Sequence, residues 1–182
     1  MISRRLYYLS EFVINTFFEN ITGARRRTRE LEKVKIVQLG QERRGYVDEV
    51  RRKLEEEFGA EVEVVEEIIP VPKRAIEWGS YVFTPFLAPY LSKFADEGSV
   101  IVAVTRYGIS VLPPLRFFWI FYRFTRIMGV AYPLYRVALI TTMNDRLKSK
   151  VVAETAVHEL AHLIGKHGYD PKSHSYGYDL LG

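Results

Sequence analysis

Val100 to Thr105 is an unbroken apolar run closed by a threonine, short and without polar alternation. That is the pattern of a strand covered on both faces, so it constrains the chain to a layered fold. The segments around it supply the layers. Val34, Ile36 and Val37, with Leu39 and Gly40 behind them, read as a strand ending in a turn. Val47, Val50, Leu54 and Phe58 recur at helical spacing between Tyr46 and Phe58, and Gly59 is the stop. Glu61 to Ile69 alternates charged and branched residues and closes at Pro70 and Pro72, as a half-buried strand does. Ser80 to Phe94 has a helical pattern with Pro85 and Pro89 inside it, and Val137 to Thr142 reads as a further strand. Strands alternating with helices predict an α/β fold on a largely parallel sheet with right-handed crossovers. Pro113 to Tyr135, aromatic and proline-containing, has no periodicity that selects an element.

With 182 residues, 48% of them hydrophobic, the chain is long enough to bury one proper core. The reading divides it into residues 1–30, a helix and a basic connector, and residues 31–182, the main domain. Leu6, Leu9, Phe12, Val13, Phe17 and Ile21 stand at near-helical spacing with Gly23 as a stop, an amphipathic helix expected to pack on the main domain. A membrane-surface helix is the sharper alternative. Arg25, Arg26, Arg27 and Arg29 form the densest part of a net charge of +4. Such a cluster can attract nucleic acid or an acidic surface, but no aromatic interleaving goes with it, so a solvated connector is expected and nucleic-acid binding is not. Arg116, Arg123, Arg126 and Arg136 interrupt the most apolar segment, no run reaches the length of a membrane span, and no secretory signal is visible. A cytoplasmic protein is the expectation. Few Asn and Gln beside abundant Glu, Arg and Lys lean toward a thermophile source.

The chain has no cysteine, which excludes disulfides and thiolate metal sites. Any metal must sit on imidazole, carboxylate or water. His158-Glu159-Leu160-Ala161-His162 lies in the last helical segment, which Asn144 or Asp145 can cap and which ends near Ile164 and Gly165. Residues four apart share a helix face, so both imidazoles can point at one ion. Glu159, offset from that face, is long enough to reach a water at the metal and act as general base. The core stripe of this helix is Val152, Ala153, Ala156, Val157, Leu160, Leu163 and Ile164, which leaves the histidines at its margin. All four His of the chain lie between positions 158 and 174. A structural role for the histidines is the plainer alternative, but it gives no reason for that clustering. A catalytic zinc usually takes three protein ligands. His167, just past Gly165, is the first candidate for the third, His174 its competitor and Asp170 a weaker one; no Glu follows Glu159.

His158-Glu159-x-x-His162-x-x-Gly165 followed by His167 resembles the metzincin clan of zinc peptidases, and within it the archaemetzincins. Lys33 to Gly40 looks like the family's opening strand, Val100 to Thr105 is similar to another of its strands, and Arg126 to Ala131 resembles the segment leading to the active-site helix. The resemblance implies a twisted, mostly parallel sheet with an antiparallel edge strand, packed on helices that include a C-terminal active-site helix. It implies one zinc per chain at His158, His162 and His167, with Glu159 catalytic. It also implies that Gly129, Val130 and Ala131 bind an extended peptide or protein substrate by backbone pairing. Three features depart from the family pattern. Lys166 alone separates Gly165 from His167, one residue fewer than the family has; Gly168 and Ser173 stand where archaemetzincins have cysteines for a second zinc; Ser175 stands at the family's methionine. The expected function is therefore a zinc-dependent peptidase. The alternative is a metzincin-like zinc-binding or interaction protein impaired in turnover.

Overall fold

The computed structural model describes residues 31–41, 43–77, 79–111, 127–143 and 148–165. The helix expected in residues 1–30 and the ligand candidates His167, Asp170 and His174 lie outside them.

The main sheet has five strands: β1 (Lys33–Leu39), β2 (Glu61–Ile69), β5 (Ser99–Thr105), β7 (Gly129–Tyr132) and β8 (Val137–Thr141). Their order across the sheet is β2-β1-β5-β8-β7, parallel throughout except for β7, which runs antiparallel along β8. The mostly parallel sheet with an antiparallel edge strand is thus the architecture the chain adopts. β5, central and buried at every residue, is the doubly covered strand that its apolar run demands.

Side chains alternate across the sheet and build two cores. On one face Val34, Ile36, Val102, Ala138 and Ile140 meet α1 (Arg44–Phe58) and the C-terminal helix α3 (Ser149–Leu163). Leu54 of α1 and Leu160 of α3 are fully buried there. Burial of a leucine contributes about 1.5–3 kcal/mol, so these two side chains are a substantial part of what holds α1 and α3 on this face. On the other face Val37, Leu39, Ile101, Ala103 and Leu139 meet α2 (Thr84–Leu91) and a small second sheet. That sheet has the order β3-β4-β6, from β3 (Ile76–Glu77), β4 (Tyr81–Phe83) and β6 (Gly108–Ser110).

Two expectations need correction. Ser80 to Phe94 is not helical throughout: Tyr81 to Phe83 is extended because it pairs with Gly108 to Ser110, and the helix begins at Thr84. Pro85 then falls in the first turn, where its missing N–H costs nothing. The last helix begins at Ser149 with Lys148, not the expected Asn144 or Asp145, at its N-cap position, the Lys148 carbonyl accepting from Val151 N–H at 3.0 Å; Asn144 and Asp145 lie outside the described residues. The other helix limits match the signals read from sequence. α1 ends where Gly59 takes φ 60° and donates to the Glu55 carbonyl, and α3 gives way to Gly165 at φ 72°. No helix among the described residues is long and apolar enough to cross a membrane.

Candidate metal and catalytic site

α3 lies across the sheet at its β7–β8 side, and its core stripe orients everything that follows. Val152, Ala153, Ala156, Leu160 and Leu163 face the sheet and α1. With those positions inward, the 100° step of the helix turns Thr155, Glu159 and His162 toward the side on which β7 lies. His158 and His162, one turn apart, bring their Nε2 atoms to 3.0 Å with ring centroids 4.6 Å apart and planes at 88°. His162 is 2% exposed, deeper than a margin position suggests, while His158 is half-buried and borders an open groove of about 420 Å³ between α1 and α3. Lys53 and Glu57 form the α1 wall of that groove, and Glu159 does not line it.

The spacing of the two nitrogens fits a shared ion. Two imidazole nitrogens about 2.0–2.1 Å from a tetrahedral zinc stand roughly 3.3 Å apart, close to the separation found here. In the metal-free chain the same distance suits a hydrogen bond from one imidazole N–H to the other nitrogen. Among the described residues no group of three or more His, Asp or Glu is placed to hold a metal.

Glu159 is buried, and no hydrogen bond from a described residue holds its carboxyl. Desolvation pushes its pKa up to about 8. Its neighbour across the sheet is Gly129, the first residue of β7: a methyl group built there would stand 2.6 Å from Glu159 Cγ and 2.8 Å from Oε1. Thr155, one turn before Glu159, reaches the same spot with its Cγ2. Thr155 was not among the candidates read from sequence, although its four-residue spacing from Glu159 is a signal that one helix face carries both.

The remaining candidates lie along β7. Thr141 N–H donates to the Met128 carbonyl at 2.8 Å, and antiparallel pairing repeats that pattern every second residue. Val130 and Tyr132 therefore turn their backbone groups toward β8, whereas Gly129 and Ala131 turn theirs toward the outer edge. Gly129 is half-buried; Val130, Ala131 and Tyr132 are buried, with the Val130 side chain in the core on the face away from α3. The structure thus brings Gly129 to Glu159, and leaves Val130 on the other side of the sheet.

Fold and site together define a layered α/β protein whose C-terminal helix presents a paired-histidine and glutamate motif beside an antiparallel edge strand. Solved structures of similar fold include one described as a zinc-dependent peptidase and two archaemetzincins. The chain is similar to a zinc-dependent peptidase from Methanocorpusculum labreanum, at 15% identity and a TM-score of 0.54, over 71% of this chain and 80% of that one. It is similar to the archaemetzincin of Methanopyrus kandleri, at 20% identity and 0.59, over 79% and 78%. The archaemetzincin of Archaeoglobus fulgidus matches at 18% and 0.53, over 76% and 82%. At these identities the likeness is one of fold. No family model and no curated protein sequence matches the chain.

Proposed function

We propose that the chain is a zinc-dependent peptidase, with His158 and His162 as two ligands, His167 as the third and Glu159 as general base. The observation that carries this reading is the convergence of the two Nε2 atoms at 3.0 Å on the helix that also holds a buried carboxyl. A helix that needed only packing from these positions would be better served by apolar residues, because a buried carboxyl without a partner is costly. The fold shared with a zinc-dependent peptidase and with archaemetzincins supports the same reading.

Zinc, when bound, supplies a Lewis acid that polarises a peptide carbonyl and acidifies an attacking water. The chain's own residues do the rest. An extended peptide pairs with the outer edge of β7, starting at Gly129, whose N–H and carbonyl face away from β8. That pairing brings the scissile bond alongside Glu159, which Gly129 touches. The desolvation that raises the Glu159 pKa would be offset by a cation held on the neighbouring histidines, and the ionised carboxylate accepts the proton of the attacking water and passes it to the leaving nitrogen.

The test compares wild type with Glu159→Gln after zinc loading. Both should hold the same metal, and cleavage of a broad peptide library, read by mass spectrometry, should fall by about a hundred- to ten-thousand-fold in the variant. If wild type cleaves nothing and the variant is indistinguishable from it, the second reading holds, a zinc-binding protein without turnover. The single residue between Gly165 and His167, where the resembled family has two, favours that second reading.

A further inference from the structure

Glu159 ends in a carboxyl that no described residue hydrogen-bonds, yet a flexible side chain must present it in one place to act as a base. Contact can do this, and Gly129 and Thr155 crowd the stem of Glu159. Thr155 is fixed by its hydroxyl, which donates to the Val151 carbonyl at 2.9 Å and so commits its methyl to the side of β7. Gly129 is fixed by strand pairing with Ile140 and by the neighbouring bond from Thr141 N–H to the Met128 carbonyl.

The backbone at Gly129 is not in the left-handed region, so any residue could adopt it. Space is what excludes a side chain. A β-carbon there would lie 2.6 Å from Glu159 Cγ, 2.8 Å from Oε1 and 2.8 Å from Thr155 Cγ2, against 3.4 Å for ordinary contact. The Thr155 methyl is pinned, so the Glu159 side chain, which no described residue hydrogen-bonds, is the one that has to move.

We infer that Gly129 and Thr155 form a slot that positions Glu159, and that Gly129 is glycine because the carboxylate stem occupies the space of its side chain. The inference rests on the reading of Glu159 as the base, but the contact itself does not. Gly129 is a positioning residue here: any group larger than hydrogen displaces the carboxyl by a good part of an ångström.

The experiment measures Gly129→Ala in two backgrounds, wild type and Thr155→Ser/Glu159→Ala, which removes Cγ2 and Cγ together. In wild type the added methyl should lower Tm by on the order of 5 °C, as overpacking does. In the trimmed background it should lower Tm hardly at all. Zinc content should be unchanged by Gly129→Ala, KM little altered, and kcat reduced about a hundredfold, the scale of an ångström misplacement. Equal Tm losses in both backgrounds, or wild-type kcat in zinc-loaded Gly129→Ala, would overturn the slot. A Gly129→Ala protein that does not fold while the trimmed variant carrying the same change does would support it. Should wild type have no peptidase activity, the function proposed above fails while the Tm comparison still decides the slot.

Discussion

His158 and His162 meet nitrogen to nitrogen at 3.0 Å across one turn of α3, with their rings perpendicular. An ion between two such donors replaces a hydrogen bond with two stronger bonds, and neither histidine can hold it alone. The purified protein should therefore bind about one zinc per chain, and His158→Ala or His162→Ala should each abolish tight binding. Elemental analysis after dialysis measures this; full zinc content in both variants would refute the metal centre.

The third ligand separates two candidates beyond Gly165. With His167 as the ligand, His167→Ala should weaken zinc affinity far more than His174→Ala, in a competition titration against a chromogenic chelator. The reverse order would transfer the role to His174 and leave His167 without one. Comparable small losses in both would mean that neither closes the site.

Much of the scaffold was legible because its signals are local. The helical spacing of Val47, Val50 and Leu54 with Gly59 behind them gives α1, and the apolar run at Val100 gives β5, since each pattern records which face is buried. Tyr81–Phe83 and Gly108–Ser110 were not legible, for they are three residues long and extended through pairing with each other and, for Tyr81 and Val82, with β3. Two or three residues carry no period. Within the site, the His158/His162 pair follows from spacing on one helix. The closeness of Gly129 to Glu159 joins positions thirty residues apart, and no local pattern encodes it.

Thr84 links the small sheet to the edge strand. Its hydroxyl stands 2.7 Å from the Tyr132 hydroxyl on β7 and 3.1 Å from the Ser110 carbonyl on β6, and Thr84 and Tyr132 are fully buried. Thr84→Val keeps the shape and removes one hydrogen bond from each of these groups. The change should cost about 0.5–1.5 kcal/mol in denaturant unfolding, the net contribution of a typical intramolecular hydrogen bond. A loss within a few tenths of a kcal/mol would mean that β7 does not depend on this link.

Glu77 couples stability to pH in the same region. It is buried, its Oε2 accepts a hydrogen bond from the Ser110 hydroxyl at 2.8 Å, and desolvation raises its pKa above the ordinary glutamate value despite that bond. The folded state therefore holds a proton that the unfolded chain has already lost, over the window between the unfolded and the folded pKa. There the folded form binds more protons, so stability conferred at Glu77 is present below the unfolded pKa and is lost as pH rises through the folded pKa. Glu63 and Asp96 have lowered pKa values, held by Lys33 and Lys35 respectively, and they act in the opposite direction. A direct pH scan mixes these effects, whereas the difference between wild type and Glu77→Gln isolates one residue. Gln keeps an oxygen for Ser110 and cannot ionise. The two proteins should have similar Tm below the unfolded pKa, and the Gln variant should gain on wild type as pH rises from the unfolded to the folded pKa, with no further gain above it. If wild type instead gains on the variant as pH rises, Glu77 is stabilised as the carboxylate, and the burial at β3 is not what governs its charge.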